Sequence, residues 1–422
     1  MAHSETQRTI ETTWRLESPR LIAGLTRMVR NISLAEELAQ DALVVALKTW
    51  PETGVPANPG AWLMQTAKRR AIDYFRRNKM AARKLEEIGR DVEEEQVHGS
   101  PDPDARLDDD IGDDLLRLIF TSCHPVLSRD ARAALTLRLI GGLTTEEIAR
   151  AFLAPEPTIQ QRIVRAKRTI AEAHVPFEVP RGDDRAARLA SVLEVIYLIF
   201  NEGYSATSGG DWLRIDLQHE AIRLGRVLAG LMPEEPEVHG LLALMEIQAS
   251  RARARIGPEG DPVLLLEQDR GKWDRALITR GLSALERAEA LGGGNGSYAL
   301  QAAIAACHAR ARTAADTDWI EIAGLYDVMA ARAPSPIVEL NRAVAHGFAF
   351  GPEAGLAIVE PLADEPVLKS YHLLPSVRGD LLYRLGRMSE AATEFDRAAS
   401  LTRNGREQKL LEGRAAGARA QA

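Results

Sequence analysis

Apolar residues recur along most of the chain at intervals of three and four positions, which places them on one face of an α-helix. The pattern is clear over residues 34–50, 60–77 and 113–170, and from Pro176 onwards one helical pattern follows another. Ala, Leu, Arg and Glu are abundant, whereas the aromatic and β-branched runs that strands prefer are scarce. The sequence therefore predicts an all-α fold.

The helix predicted over 60–77 and the residues after it are strongly basic. Between Trp62 and Lys84, Asp73 is the only acidic residue. The positive charges of this stretch are Lys68, Arg69, Arg70, Arg76, Arg77, Lys79, Arg83 and Lys84. Taken alone, such a run fits a solvated helix face. With Trp62, Tyr74 and Phe75 as stacking surfaces, it also fits a site for the phosphates and bases of a nucleic acid.

An acidic stretch follows over residues 86–114, where thirteen carboxylates are opposed by Arg90 and Arg106 alone. Like charges repel one another, and Pro101 and Pro103 disfavour regular structure in this stretch. We therefore predict an extended linker over 86–112. It fits a solubilising spacer, and it also fits a nucleic-acid mimic that lies in a basic channel.

The segment from Gly142 to Ile170 has the pattern of a helix-turn-helix. Thr144 and Glu147 form a capping box ahead of an apolar run, and Pro157 suits the first turn of a second helix. The inward stripe of that second helix is Ile159, Ile163, Ala166 and Ile170. Its outward residues include no acid and are Thr158, Gln160, Gln161, Arg162, Arg165, Lys167 and Arg168. Such a face can read base edges in a major groove and contact phosphates.

At these residues the sequence resembles the bacterial RNA polymerase sigma factors of the extracytoplasmic-function type, over about residues 15–175. AEELAQDALVVALKTW resembles the polymerase-binding helix of region two. NPGAWLMQTAKRRAIDYFRR resembles the segment that melts and holds the −10 element, and residues 115–174 resemble region four, which reads the −35 element. The order of these segments, with an acidic linker between them, is the layout of the family.

The resemblance implies partners and residue roles. The partners are core RNA polymerase, through its β′ clamp helices and β flap, and promoter DNA at the −10 and −35 elements. The implied polymerase-binding residues are Glu37, Gln40, Asp41 and Lys48. The implied DNA-binding residues are Trp62, Lys68, Arg69, Arg70, Arg76 and Arg77, together with the outward residues of the second helix. Two positions depart from the family pattern: Leu153 replaces the usual Gly of the turn, and Arg69 stands where many members have Asn.

Some 245 residues follow the part that resembles a minimal sigma factor. The segment after Val175 resembles a helical domain that one subgroup of these factors carries after region four. Farther on, a tetratricopeptide-type helix pair is indicated by Gly379, Leu382, Gly386, Ala391, Phe395 and Ala398. Such an array presents a surface to a protein partner or packs on its own chain. We hypothesise that the extension regulates or supports engagement of the polymerase.

Other functional classes find little support in the sequence. The two cysteines, Cys123 and Cys307, cannot build a disulfide framework, and the nine histidines form no metal-ligand motif. Phosphate-loop and serine-hydrolase motifs are absent from the sequence, and Ser122, Cys123 and His124 fit burial better than catalysis. We expect no enzyme activity, no cofactor, no metal, no membrane span and a cytoplasmic location.

The predicted organisation has five parts, which are a region-two domain over 10–85, the linker over 86–112, a region-four domain over 113–175, a helical extension over 176–290 and TPR-like repeats over 291–422. Two other functions stay open at this point. One is a polymerase-independent helix-turn-helix regulator with a helical sensor domain, which leaves the 34–50 helix and the acidic linker unexplained. The other is a helical-repeat scaffold whose basic segments are only surface.

Overall fold

The protein is described by a computed structural model that covers residues 2–77, 103–152, 154–204, 215–257, 263–402 and 405–422. Every regular element in these ranges is an α-helix or a short 3₁₀ turn, which confirms the predicted all-α fold. Lys79, Arg83, Lys84, Leu153 and the first part of the acidic linker lie outside the described residues. The helices fall into two compact units, and each is described by itself.

The first unit contains residues 1–203 and 219–231. Its helices are α1 (Ala2–Val29), α2 (Ile32–Thr53), α3 (Pro59–Arg77), α4 (Pro103–Ser122), α5 (Arg129–Leu139), α6 (Thr145–Ala151), α7 (Glu156–Glu172), α8 (Asp183–Tyr204) and α9 (Ile215–Leu231), the last of which begins in the other unit.

Helices α1, α2 and α3 form the domain that the sequence assigned to region two. The Asn31 side chain accepts a hydrogen bond from the Leu34 backbone at the start of α2, which satisfies a donor that the helix leaves unpaired. Trp50 is buried at the far end of α2 and meets the ring of Trp62 on α3 edge to face, with centroids 5.3 Å apart. This aromatic contact fixes the start of α3 against α2.

The end of the predicted linker is helical and not extended. Residues 103–112 form the first half of α4, so that part of the linker prediction is wrong. Proline is favoured in the first turn of a helix, and negative charge near the N-terminus is stabilised by the helix dipole, so the composition of this segment suits a helix start.

The helix-turn-helix forms as the sequence predicts. Both reciprocal hydrogen bonds of the capping box are present, from the Glu147 backbone to the Thr144 hydroxyl and from the Thr144 backbone to the Glu147 carboxylate. Helix α7 begins one residue before Pro157 and buries the predicted stripe, Ile159, Ile163, Ala166 and Ile170. The opposite face of α7 is therefore the one left for a ligand.

Helices α8 and α9, which follow the family-like part of the chain, pack on α4 and α5. Val192, Ile196 and Leu224 close over an apolar pocket whose other wall is Ile119, Cys123, Thr136 and Ile140. The guanidinium of Arg188 donates to the Phe120 carbonyl at 2.9 Å, and that of Arg223 donates to the Ile140 carbonyl at 2.7 Å. Elements on both sides of residue 175 thus share one core.

The second unit holds residues 204–218 and 232–422. Its helices are α10 (Pro236–Ala249), α11 (Arg275–Ala290), α12 (Ser297–Arg310), α13 (Trp319–Arg332), α14 (Pro336–Ala349), α15 (Pro352–Val359), α16 (Leu373–Arg384), α17 (Met388–Leu401) and α18 (Gly405–Arg419). Helices α16 and α17 form the predicted helix pair, and a Cβ on Gly379 would lie 2.9 Å from the buried ring of Phe395. Glycine at this position lets the two helices approach closely.

Candidate nucleic-acid and polymerase interface

The outward face of α7 is polar, basic and largely exposed. Thr158, Gln160, Gln161, Arg165 and Arg168 are exposed. The glutamines lie in the first turns of the helix, where a helix in a major groove meets base edges. The carboxylate of Glu172 pairs with the Arg168 guanidinium at 3.3 Å on the same helix. The face has the residue types and the accessibility that base and phosphate contacts require.

The structure places two predicted DNA contacts of α7 against other helices. The guanidinium of Arg162 lies 3.4 Å from the Asp130 carboxylate of α5 and is only 27% exposed. The ammonium of Lys167 is 14% exposed and pairs with the carboxylate of Glu36, which belongs to α2. In this conformation the exposed guanidinium groups of this face are those of Arg165 and of Arg168, the second of which pairs with Glu172.

Only some of the predicted DNA-binding residues of the basic helix α3 are exposed to solvent. Arg69 and Arg76 are exposed, whereas Trp62, Lys68 and Arg70 are partly buried, and the side chain of Arg77 lies outside the described residues. The Arg70 guanidinium pairs with the Asp41 carboxylate of α2 at 3.0 Å. A predicted DNA contact and a predicted polymerase contact thus neutralise each other.

One stripe of α2 faces solvent. Three predicted polymerase contacts, Glu37, Gln40 and Lys48, are exposed, and Val44 and Leu47 lie between them with exposures of 46% and 41%. Exposed apolar residues bordered by polar ones mark an interaction surface. Glu37, Gln40, Val44 and Leu47 follow one another at steps of three, four and three positions, and this helical spacing is the signal that could have identified the two apolar residues.

Sequence reasoning missed Glu36, which is buried between α2 and the helices α5 and α7. Its carboxylate accepts from the Arg138 guanidinium of α5 at 2.8 Å, pairs with Lys167 of α7, and accepts from the Gln40 amide at 3.2 Å. Burial alone would raise the pKa of Glu36, but the charges and hydrogen bonds of Lys167 and Arg138 outweigh burial and hold this pKa below its usual value. Glu36 is therefore ionised and links α2 with α5 and α7.

Two more ion pairs join α1 to the region-four helices. The Arg15 guanidinium lies 3.0 Å from the Glu147 carboxylate of α6, and that of Arg27 lies 3.2 Å from the buried Asp114 carboxylate of α4. Gly142, with φ of +67°, sits against the backbone of α1, where an added Cβ would lie 3.4 Å from the Arg15 carbonyl oxygen. The region-two and region-four helices are thus in direct contact.

Cys123 and His124, which are adjacent in sequence, have the surroundings of structural residues. Burial raises the pKa of the Cys123 thiol, whose sulfur lies 3.3 Å from the Thr136 hydroxyl. Burial also lowers the pKa of His124. Among the residues that the structure describes, no group of three His, Cys, Asp or Glu side chains could hold a metal ion. No helix in the described ranges is long and apolar enough to cross a membrane.

Family models match three parts of the chain. Sigma-70 region 2 matches residues 14–80, and Sigma-70 region 4 matches residues 117–170. A family of unknown function, DUF6596, matches residues 188–289 and so begins within α8. The first two models cover α2, α3 and the helix-turn-helix, which carry the surfaces described above.

The chain also matches curated relatives. The chain is 46% identical over 391 residues, 92% of its length and 91% of the relative's, to "Uncharacterized protein R00370" of Rhizobium meliloti (strain 1021). It is 28% identical over 148 residues, 34% of its length and 72% of the relative's, to "ECF RNA polymerase sigma factor SigK" of Mycobacterium sp. (strain KMS). No solved structure matches the chain. The chain belongs to the bacterial RNA polymerase sigma factors of the extracytoplasmic-function type, and it carries a C-terminal helical extension.

Proposed function

We propose that this sigma factor docks on core RNA polymerase through the exposed stripe of α2, reads the −35 element with α7 and engages the −10 element with α3. The observation that carries the proposal is the open face of α7, where Gln160, Gln161 and Arg165 point to solvent on a capped helix-turn-helix. In this proposal the chain steers and opens DNA, while the polymerase carries the catalytic chemistry and no cofactor of the chain takes part.

The free energies of promoter opening are consistent with these roles. Separating promoter strands costs about 1.4 kcal/mol for each base-pair step. Stacking an exposed base on an aromatic side chain returns about 1–3 kcal/mol, and Trp62, Tyr74 and Phe75 lie on the basic helix α3. A duplex-reading domain on the same chain adds affinity through its high local concentration.

In vitro transcription with core RNA polymerase and fragmented genomic DNA tests the proposal. We expect initiation at defined sites only when the protein is present. Specific duplex binding without any association with core polymerase would favour a polymerase-independent regulator. Absence of both DNA binding and initiation would favour a helical-repeat scaffold.

Charge reversal at Glu37 tests the polymerase surface. Glu37→Lys is expected to weaken binding to core polymerase by about 5- to 30-fold, because an exposed ion pair is lost and a like charge takes its place. The fold should be unaffected, since Glu37 is exposed. Glu353→Lys makes the same charge change on an exposed residue of α15 and serves as the control. Titration with labelled core polymerase gives both affinities, and equal values for the two variants would remove Glu37 from the interface.

Asp41 is a poorer probe of the same surface. Its carboxylate pairs with Arg70, so reversing its charge disturbs the packing of α2 on α3 as well as any contact with polymerase. Glu37 is exposed on the same helix and separates the two effects.

We further propose that the extension supports region four directly, through the shared core of α4, α5, α8 and α9. The TPR-like helices offer a separate place for a protein partner. A cavity of about 170 Å³ is lined by Phe348, Leu381, Asp380, Arg384 and Arg414, among others. Its mixture of apolar, acidic and basic groups fits a peptide side chain that is both apolar and charged.

A further inference from the structure

We infer that the cavity between α14, α16 and α18 binds an extended peptide segment of a protein partner. An apolar side chain of the segment enters the cavity, and the carboxylate of an aspartate or glutamate two positions away binds the Arg384 guanidinium. The inference rests on the proposed role of the TPR-like helices as a place for a partner. It deepens that role by assigning the apolar and the charged contact to two side chains of one segment.

The cavity lies between helices that share one core. Helices α14, α16 and α18 alternate in chain order with α15 and α17, and buried residues of all five pack together. Arrays of helix pairs present such surfaces to their partners. The cavity has a volume of about 170 Å³, whereas pockets that enclose a drug-sized ligand have about 300–1,000 Å³. It therefore suits one side chain of a larger ligand. Its apolar walls are Val344, Phe348, Val377 and Leu381.

Arg384 brings a positive charge to the cavity that no described carboxylate neutralises. The Asp380 carboxylate, one turn earlier on α16, pairs with Arg414 of α18. The lining thus holds one carboxylate and two guanidinium groups, which leaves one positive charge in excess. Other arginines nearby each lie within 4.0 Å of a carboxylate, namely Arg378, Arg387, Arg397, Arg414 and Arg419. The unbalanced charge of Arg384 favours an anionic ligand.

The Arg384 guanidinium is held in place before any ligand arrives. It lies over the Phe348 ring, 4.4 Å from the centroid, and the Phe348 ring stacks on Trp319 of α13 with centroids 4.2 Å apart. One of its N–H groups donates to the Gly347 carbonyl at 2.8 Å, close to the end of α14. This bond uses one of five donors, and a guanidinium that stacks on a ring keeps the donors at its edge available. A fixed cation costs little further ordering when a carboxylate binds.

Distances along α16 set the spacing between the two groups of the ligand. Val377 and Leu381 line the cavity seven and three positions before Arg384, so the middle of this apolar wall lies about five positions away. That separation is about 7.5 Å at about 1.5 Å per residue. Side chains two positions apart in an extended peptide share a face and lie about 6.6 Å apart, whereas adjacent side chains point to opposite faces. A spacing of two positions therefore matches the site.

A peptide array probed with the full-length protein tests the inference. Each immobilised peptide carries one leucine, isoleucine or phenylalanine in a glycine and serine background. An aspartate or glutamate stands one, two or three positions away on either side, and a further set ends in the apolar residue with a free carboxylate. We expect the strongest retention at a spacing of two positions. The matching asparagine or glutamine peptides should bind about 10- to 100-fold more weakly, because a charge-assisted hydrogen bond is lost.

Variants of the full chain connect this binding to the cavity. Arg384→Gln should weaken binding of the best peptide by about 10- to 100-fold, and Arg384→Lys should restore only part of the affinity because it lacks the planar fork. Arg387→Gln makes the same change at an exposed arginine that pairs with Glu390, and it should bind like the parent. Ser376→Phe fills part of the cavity without changing its charge and should weaken binding at least about tenfold. Fluorescence anisotropy measures each affinity, and circular dichroism melts check folding.

Three results would overturn the inference. They are equal retention of the carboxylate peptides and their amide counterparts, strongest retention at another spacing, and equal affinities of Arg384→Gln and Arg387→Gln. Retention that does not depend on Arg384 would refute this site while the TPR-like helices kept their role as a place for a partner. The measurement uses neither polymerase nor promoter, so promoter recognition stands or falls by the transcription assay alone.

Discussion

Ending the chain at Val175 is expected to unfold the region-four domain that the remaining sequence still encodes. Val192, Ile196 and Leu224 are 3% exposed or less and lie over α4 and α5. Burying an aliphatic side chain contributes about 1.5–3 kcal/mol, so losing these three removes roughly 5–9 kcal/mol. That loss is comparable with the whole stability of a typical domain, which is about 5–15 kcal/mol.

The polar contacts across the same boundary add to the effect. The side chain of Arg132 is 9% exposed, and its guanidinium bonds Ser191 and lies 3.2 Å from the Glu194 carboxylate, both on α8. The Ser191 hydroxyl also donates to the Cys123 carbonyl at 2.6 Å. Truncation removes Ser191 and Glu194 together with the helix that carries them, so these polar contacts are lost along with the apolar ones.

A comparison of two fragments distinguishes a structural role of the extension from a regulatory one. Residues 1–231 retain α8 and α9 and should melt cooperatively, whereas residues 1–175 should show protease-sensitive region-four helices and lose transcription from a −35-dependent promoter. In the full chain, Ile196→Ala should cost about 2–5 kcal/mol. Val367→Ala, at a residue 72% exposed, is the matched control. Equal melting temperatures for the two fragments would contradict the shared core.

The helix-turn-helix could be predicted from the sequence because its determinants are local. A capping box needs two residues three positions apart, and the buried stripe of α7 follows directly from helical periodicity, so Thr144, Glu147, Ile159 and Ile163 were enough. The same locality explains the helix pair around Gly379.

Contacts between distant segments could not be predicted in this way. In the sequence Glu36 is one of several acidic residues on a polar helix face. Nothing near it indicates that Arg138 and Lys167 are its partners. Arg162 and Arg165 lie on the same face of a helical wheel, but Asp130 of α5 pairs with Arg162. The sharing of a core by α5 and α8 depends on tertiary packing that periodicity does not encode.

Replacing Arg162 and Arg165 together by alanine is expected to remove most recognition of the −35 element. A base-edge contact is worth about 1–3 kcal/mol, so the double variant should bind the promoter through holoenzyme roughly 30-fold to 10⁴-fold more weakly. Arg165 is exposed, while the guanidinium of Arg162 must first leave Asp130, so Arg165→Ala alone should have the larger effect. Both side chains lie outside the buried stripe, and the melting temperature should change little.

Binding of holoenzyme to labelled promoter duplex at one fixed salt concentration measures this effect, with a duplex whose −35 element is scrambled as the reference. The double variant should bind the two duplexes nearly equally, because base readout is lost while other phosphate contacts remain. Arg332→Ala removes one positive charge from an exposed position of α13 and should preserve discrimination. If the double variant kept its preference for the intact element, α7 could not be the recognition helix. An equal loss on both duplexes would instead make these arginines phosphate contacts, since phosphate binding carries no sequence information.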